Sequence, residues 1–130
     1  HDFKAALPES QIAGIDISEY AIDNALEDVK EFVQVADCRS LPYDDHSFDL
    51  VISITTVHNV VLDECKKALK EIERVGKTHK FIVVDAYRND EEKERMYKWN
   101  MTGETILHVD DWKKLFDEVG YTGDYYWFIP

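Results

Sequence analysis

Residues 35–53 read VADCRSLPYDDHSFDLVIS, and the way this stretch is joined decides the fold. Its tail opens FDLVISI (48–54), whose continuously apolar centre suits a strand covered on both faces. Its head closes a second strand-like run, FVQVA (32–36). Between them lies a polar loop around Leu41 and Pro42, where an alternating α/β chain would place a helix. That shortcut narrows the choice among α/β folds.

Working outward, QIAGIDI (11–17) is a short strand that ends on an acid, Asp16. SEYAIDNALEDV (18–29) follows, with Ser18 as N-cap and Ile22, Ala25, Leu26 and Val29 at helical spacing. Residues 59–75 are amphipathic, with Val61, Cys65, Ala68, Leu69 and Ile72 on one face and Gly76 placed as the C′ stop. KFIVVDA (80–86) is a fourth buried strand. DDWKKLFDEVG (110–120) sets Trp112, Leu115, Phe116 and Val119 at i, i+3, i+4, i+7 before Gly120, and DYYWFI (124–129) is a last strand. With HDFKAAL (1–7) as the last turns of a helix, the order is α-β-α-β-β-α-β-α-β. It predicts a parallel sheet with helices on both faces, three layers in one domain over residues 1–130.

Composition agrees. Of the 130 residues 45% are hydrophobic and 12% aromatic, which suits a packed globule. The net charge of −12 repels a phosphate backbone, so no nucleic-acid partner is expected. No apolar run reaches the roughly 18 residues of a membrane span, and no membrane partner is expected. Cys38 and Cys65 lack metal-ligand spacing and read as free thiols. With no signal or transit peptide read at either end, the expected compartment is the cytoplasm.

Three pieces, GIDIS (14–18), the 35–53 block and EIERVG…KFIVVDAY, together resemble the class I S-adenosylmethionine-dependent methyltransferases. The closest likeness is to their small-molecule branch with its D-x-x-x-L-P-x-x-x-x-S-F-D pattern, here Asp37, Leu41, Pro42, Ser47, Phe48 and Asp49. The resemblance implies a Rossmann-like α/β/α sandwich and S-adenosylmethionine as cofactor. It implies that Asp16 binds the ribose hydroxyls, two acceptor oxygens facing two donors. Asp37 would accept from the adenine amino group, Cys38 would cover that ring's edge, and Ile17 would lie against an adenine face. Ser53 to Thr55 would run past the methionine end. His58, just after the fourth family strand, is the candidate base for the acceptor's proton. Tyr87, Arg88, Tyr97, Trp99 and His108 fall where this fold covers its acceptor, a small molecule. Each assignment also has a plainer reading: Asp16 as a helix starter, Asp37 as a turn former, His58 as a cap, the aromatics as a hydrophobic lid.

The departure from the family is at the start. Its first strand and G-x-G-x-G loop have no counterpart, and HDFKAALPES resembles the rear of the helix that follows them. The resemblance thus implies an N-terminally truncated sheet with a gap at its ligand-binding switch point. From that follow three expectations: weak or no cofactor binding by these residues alone, no activity, and a homodimer through exposed strand edges. Two other classes stay open. One is a non-catalytic Rossmann-like binding module. The other is a short-chain dehydrogenase, whose Tyr-x-x-x-Lys pair and Asn-Asn-Ala-Gly-like run are not in this sequence.

Overall fold

A computed structural model describes residues 2–130. The described residues form two compact units, residues 2–42 and 43–130.

The first unit holds α1 (Asp2–Ala6), β1 (Gly14–Asp16), α2 (Glu19–Asp23) and β2 (Val33–Val35). β1 and β2 pair in parallel as a two-stranded sheet, Asp16 opposite Val35. Ser18 caps α2 as expected, its hydroxyl accepting the Ala21 N–H at 3.2 Å. The helix is shorter than its periodicity suggests. It ends at Asn24, leaving Leu26 exposed, while Val29 is buried beyond it. Asn24 turns its own amide onto the Tyr20 carbonyl, and that local bond competes with continuing the helix.

The second unit holds β3 (Phe48–Ile54), α3 (Leu62–Val75), β4 (Gly76–Tyr87), α4 (Asp90–Trp99), β5 (Leu107–His108), α5 (Val109–Val119) and β6 (Asp124–Phe128). Every other strand of this unit pairs with β4, all in parallel: β3 and β6 run along its opposite edges, and β5 pairs with its last two residues, Ala86 and Tyr87. α3 buries Cys65, Ala68, Leu69, Ile72 and Val75, and α5 buries Trp112, Leu115, Phe116 and Val119. Both cover the sheet face that carries Ile82, Val84 and Trp127, where Phe116 stacks on Trp127 with ring centroids 5.9 Å apart. α4 lies on the opposite face, Trp99 meeting Phe128 at 4.7 Å. The α/β/α layering that the resemblance implies is therefore built in this unit.

Three local expectations are corrected. α3 starts at Leu62, and Val61, placed on its buried face by the periodicity, is an exposed N-cap residue. Gly76 does end α3, but at φ −78° and ψ 125°, passing straight into β4 rather than into a left-handed cap. Its use is room: a Cβ there would lie 2.7 Å from Lys80 Cγ and 3.1 Å from the Ile72 carbonyl oxygen. Gly120, at φ +74°, is the left-handed stop the sequence predicts. Lastly, β3 is not covered on both faces. Leu50, Ile52 and Ile54 stand exposed on the face away from α3.

Candidate functional site

In the first unit the parallel pairing of β1 and β2 brings Asp16 and the loop beginning at Asp37 to the same strand ends. The ladder continues one step past the strands, Ala36 N–H donating to the Asp16 carbonyl at 3.0 Å. Asp16 is exposed, and one carboxylate oxygen, Oδ1, accepts the Ser18 N–H at 2.8 Å. The other takes no hydrogen bond among the described residues, so the carboxylate is oriented by the chain yet half free. Beside it, Ile17 is 69% exposed, an apolar side chain held in the open. This pairing of an oriented acid with an uncovered aliphatic face fits a ribose and the edge of a base.

Asp37 is less free than the sequence suggests. Its Oδ1 accepts the Arg39 backbone N–H at 2.8 Å and, with Oδ2, the Arg39 guanidinium. These bonds hold its carboxyl below the usual range despite the opposing effect of burial. A ligand amino group would share this carboxylate with Arg39 rather than find it vacant, though a carboxylate has about four acceptor positions. Cys38 is half-buried, and burial followed by the Asp37 charge pushes its thiol up, keeping it protonated and uncharged.

In the second unit β3 is followed at once by Thr55, whose φ of +50° is a left-handed conformation that β-branched residues rarely adopt. The tip is well tied: Thr55 N–H donates to the Val83 carbonyl, and Asn59 Nδ2 donates to the Thr55 carbonyl at 2.9 Å. Strain of this kind survives only where surroundings over-determine it, and it gathers at functional sites. Thr55 is exposed, whereas the Ser53 hydroxyl is buried without a hydrogen-bond partner. Of the two, Thr55 is therefore the one open to a ligand.

His58 lies inside a 3₁₀ turn, Val57–Asn59, and is only 2% exposed. Its ring faces Asp85, Nε2 to Oδ2 3.5 Å, and its Nδ1 accepts the Asp85 backbone N–H at 3.4 Å. Neither ring nitrogen is open to solvent in this arrangement. Among the proposed acceptor-covering residues, Tyr97 and Trp99 are exposed on α4. Arg88 pairs with Glu92, and Tyr87 packs edge-on against His108 at 5.7 Å. The His108 ring is committed to structure, Nδ1 accepting the Asp110 N–H and Nε2 donating to the Arg88 carbonyl. Two residues carry weight that the sequence reading passed over. Arg39 clamps Asp37, and Asp85 is a lone acid within an apolar strand, which was the visible signal.

No helix of the described residues is long and apolar enough to cross a membrane. Residues 2–84 match the family profile described as "Methyltransferase domain". An uncharacterized Haemophilus influenzae protein is 33% identical over 125 residues, covering 85% of this chain and 49% of that protein. An Arabidopsis thaliana tRNA (carboxymethyluridine(34)-5-O)-methyltransferase is 31% identical over 107 residues, covering 81% of this chain and 26% of its own length. The chain thus spans about half the length of the first of these relatives and about a quarter of the second. Among solved structures, the YcgJ protein of Bacillus subtilis superposes with a TM-score of 0.67 at 21% identity, over 86% of this chain and 53% of that one. A Thermotoga maritima protein described as a SAM-dependent methyltransferase gives 0.55 at 21%, over 90% and 66%. Those two likenesses speak for the fold, and the profile match over residues 2–84 decides the family: the chain belongs to the methyltransferase-domain family.

Proposed function

We propose that the protein transfers a methyl group from S-adenosylmethionine to a small-molecule acceptor, with Asp16 and Asp37 gripping the adenosine half of the cofactor. The observation that carries this reading is the parallel β1–β2 pair, which presents an oriented, half-free acid at one strand end beside an exposed isoleucine. Asp16 would take the ribose hydroxyls, Ile17 a face of the adenine, and Asp37 with Cys38 its amino edge. The cofactor, when bound, supplies an electrophilic methyl on a sulfonium, and the protein's part is to bind and align.

The acceptor reading rests on charge. A net charge of −12 disfavours a polyanion, which weighs against tRNA as substrate even though the Arabidopsis relative is named for one. As for His58, its burial argues for holding the turn after β3 rather than taking the acceptor's proton, since a base must reach that proton directly or through one water. Methyl-labelled cofactor offered to the whole protein with a metabolite extract, and separately with bulk tRNA, tests the proposal. Label in the small-molecule fraction is the expected result. Label in tRNA alone would replace the acceptor class, and calorimetry without any cofactor binding would remove the reading altogether.

A further inference from the structure

Asp85 sits 2% exposed near the end of β4, and its two carboxylate oxygens are treated differently. Oδ2 lies 3.5 Å from His58 Nε2, whereas Oδ1 is buried with no hydrogen-bond partner. The His58 ring is fixed by its other nitrogen, since Nδ1 accepts the Asp85 backbone N–H. A nitrogen that accepts carries no proton, so the neutral ring bears its proton on Nε2, aimed at Oδ2. A second proton on this ring would set Nδ1–H against the Asp85 N–H, donor against donor. The proton that neutralises the pair therefore belongs on Oδ1 of Asp85. Burial acts in the same sense on both partners, pushing the Asp85 carboxyl up and the His58 imidazole down.

Residues 103–105 lie against His58, the pair's imidazole partner. The His58 carbonyl accepts the N–H groups of Glu104 and Thr105, both at 2.9 Å, and Thr105 Oγ1 donates to the Val60 carbonyl at 2.7 Å. Gly103 packs so close that a Cβ there would lie 3.3 Å from His58 Cδ2. The segment is tied to itself by Asn100, which accepts from Gly103 N–H at 2.7 Å and donates to the Gly103 carbonyl at 2.9 Å. Its tip, Met101, is 93% exposed. Beneath, Trp112 Nε1 of α5 anchors the Asp85 carbonyl at 3.0 Å. The charged groups of the surrounding elements are spent elsewhere. Arg88 and Glu92 hold each other, His108 binds Arg88 and Asp110, and Glu104 is exposed. Among the described residues, His58 is the titratable group that acts on the Asp85 carboxyl.

We infer that Asp85 and His58 form a proton-gated clasp, closed by residues 100–106 while Asp85 is neutral and loosened when Asp85 releases its proton to solvent. A buried carboxylate with a single long donor is poorly stabilised, and moving the strap off His58 would free that ring to shift and let water reach the carboxylate. The strap is bonded to the turn that follows Thr55, so it would control access to His58, the residue the resemblance places beside the acceptor. That use rests on the methyltransferase reading; the clasp itself does not.

NMR on the unsubstituted protein tests it without activity. The His58 ring ¹⁵N pattern should stay that of the neutral Nε2–H tautomer between about pH 5 and about pH 8, where a free imidazole changes charge. The Asp85 carboxyl ¹³C signal should titrate well above the ordinary value of about 3.9. Exchange of the Glu104 and Thr105 amides, corrected for intrinsic base catalysis, should quicken as Asp85 ionises, by at most about ten-fold per pH unit for one linked proton. In Asp85→Asn, which keeps the shape and cannot ionise, that acceleration should vanish. The clasp is overturned if His58 becomes an imidazolium near its ordinary pKa, if Asp85 ionises at the ordinary value, or if Asp85→Asn keeps the pH-dependent exchange. Should the variant not fold, the two titrations decide alone.

Discussion

At the scale of single residues, the strand tips separate what is oriented from what is strained. Asp16 is held by one N–H and leaves one oxygen free, so Asp16→Ala should weaken S-adenosylmethionine binding by about 1.5–3 kcal/mol, the scale of hydrogen bonds to a charged group. Asp37→Ala should cost less, because Arg39 already occupies part of that carboxylate. Calorimetry on the whole protein compares the two, and equal losses would count against the ribose and adenine assignments. Thr55 makes a contrary prediction. Its φ of +50° costs energy that glycine would not incur, so Thr55→Gly should stabilise the fold by about 0.5–1 kcal/mol in denaturant titration. The position of Asp16 at a strand end was legible because a carboxylate stands out in an apolar run. The Arg39 clamp and the burial of His58 were not, since both depend on where a loop folds back.

Among the elements, α3 and α5 followed their spacing closely because a continuous apolar stripe has one way to be buried. Leu69→Ala in α3 should therefore cost about 2–5 kcal/mol, the range for deleting a fully buried leucine. Val61→Ala should change stability by less than about 0.5 kcal/mol, being exposed at the N-cap. Thermal unfolding of both variants checks the register of the helix, and a large loss at Val61 would contradict it. α2 escaped the sequence reading for the opposite reason: a side-chain amide satisfied a backbone carbonyl and stopped the helix early. β3 was misjudged because periodicity reports apolar character, not what lies across from it. The same composition serves a buried strand and one with Ile54 58% exposed.

For the molecule as a whole, two acids, the half-buried Glu73 and the buried Asp85, respond to pH with opposite sign. Glu73 is pushed up by burial but pulled lower overall by bonds from Lys80 and from the backbone and hydroxyl of Thr122. With a folded value below the ordinary 4.5, its contribution is present above that pH and is lost as pH falls through the folded value. Asp85 is raised, so its contribution is present below its ordinary 3.8 and is lost as pH rises through the folded value. Denaturant titrations across pH should show Glu73→Gln losing the acid-side sensitivity and Asp85→Asn losing the alkaline-side one. The Lys80–Glu73–Thr122 link joins α3, β4 and the turn before β6. No sequence pattern announces it, because Thr122 lies 42 residues from Lys80 and 49 from Glu73 along the chain.

β4, to which every other strand of the second unit is bonded, also sets a schedule. A chain leaving the ribosome presents β3 and α3 first, and neither has a sheet to join until Gly76–Tyr87 has emerged. Phe81 then waits for Asp124 to complete its far edge. Through that interval the nascent chain carries an amphipathic helix and an unpaired apolar strand, the species most exposed to chaperones and to misassociation. A rare-codon pause placed after residue 87 should therefore be tolerated better than one placed between β3 and β4. Synthesis order and sheet order meet at this one strand.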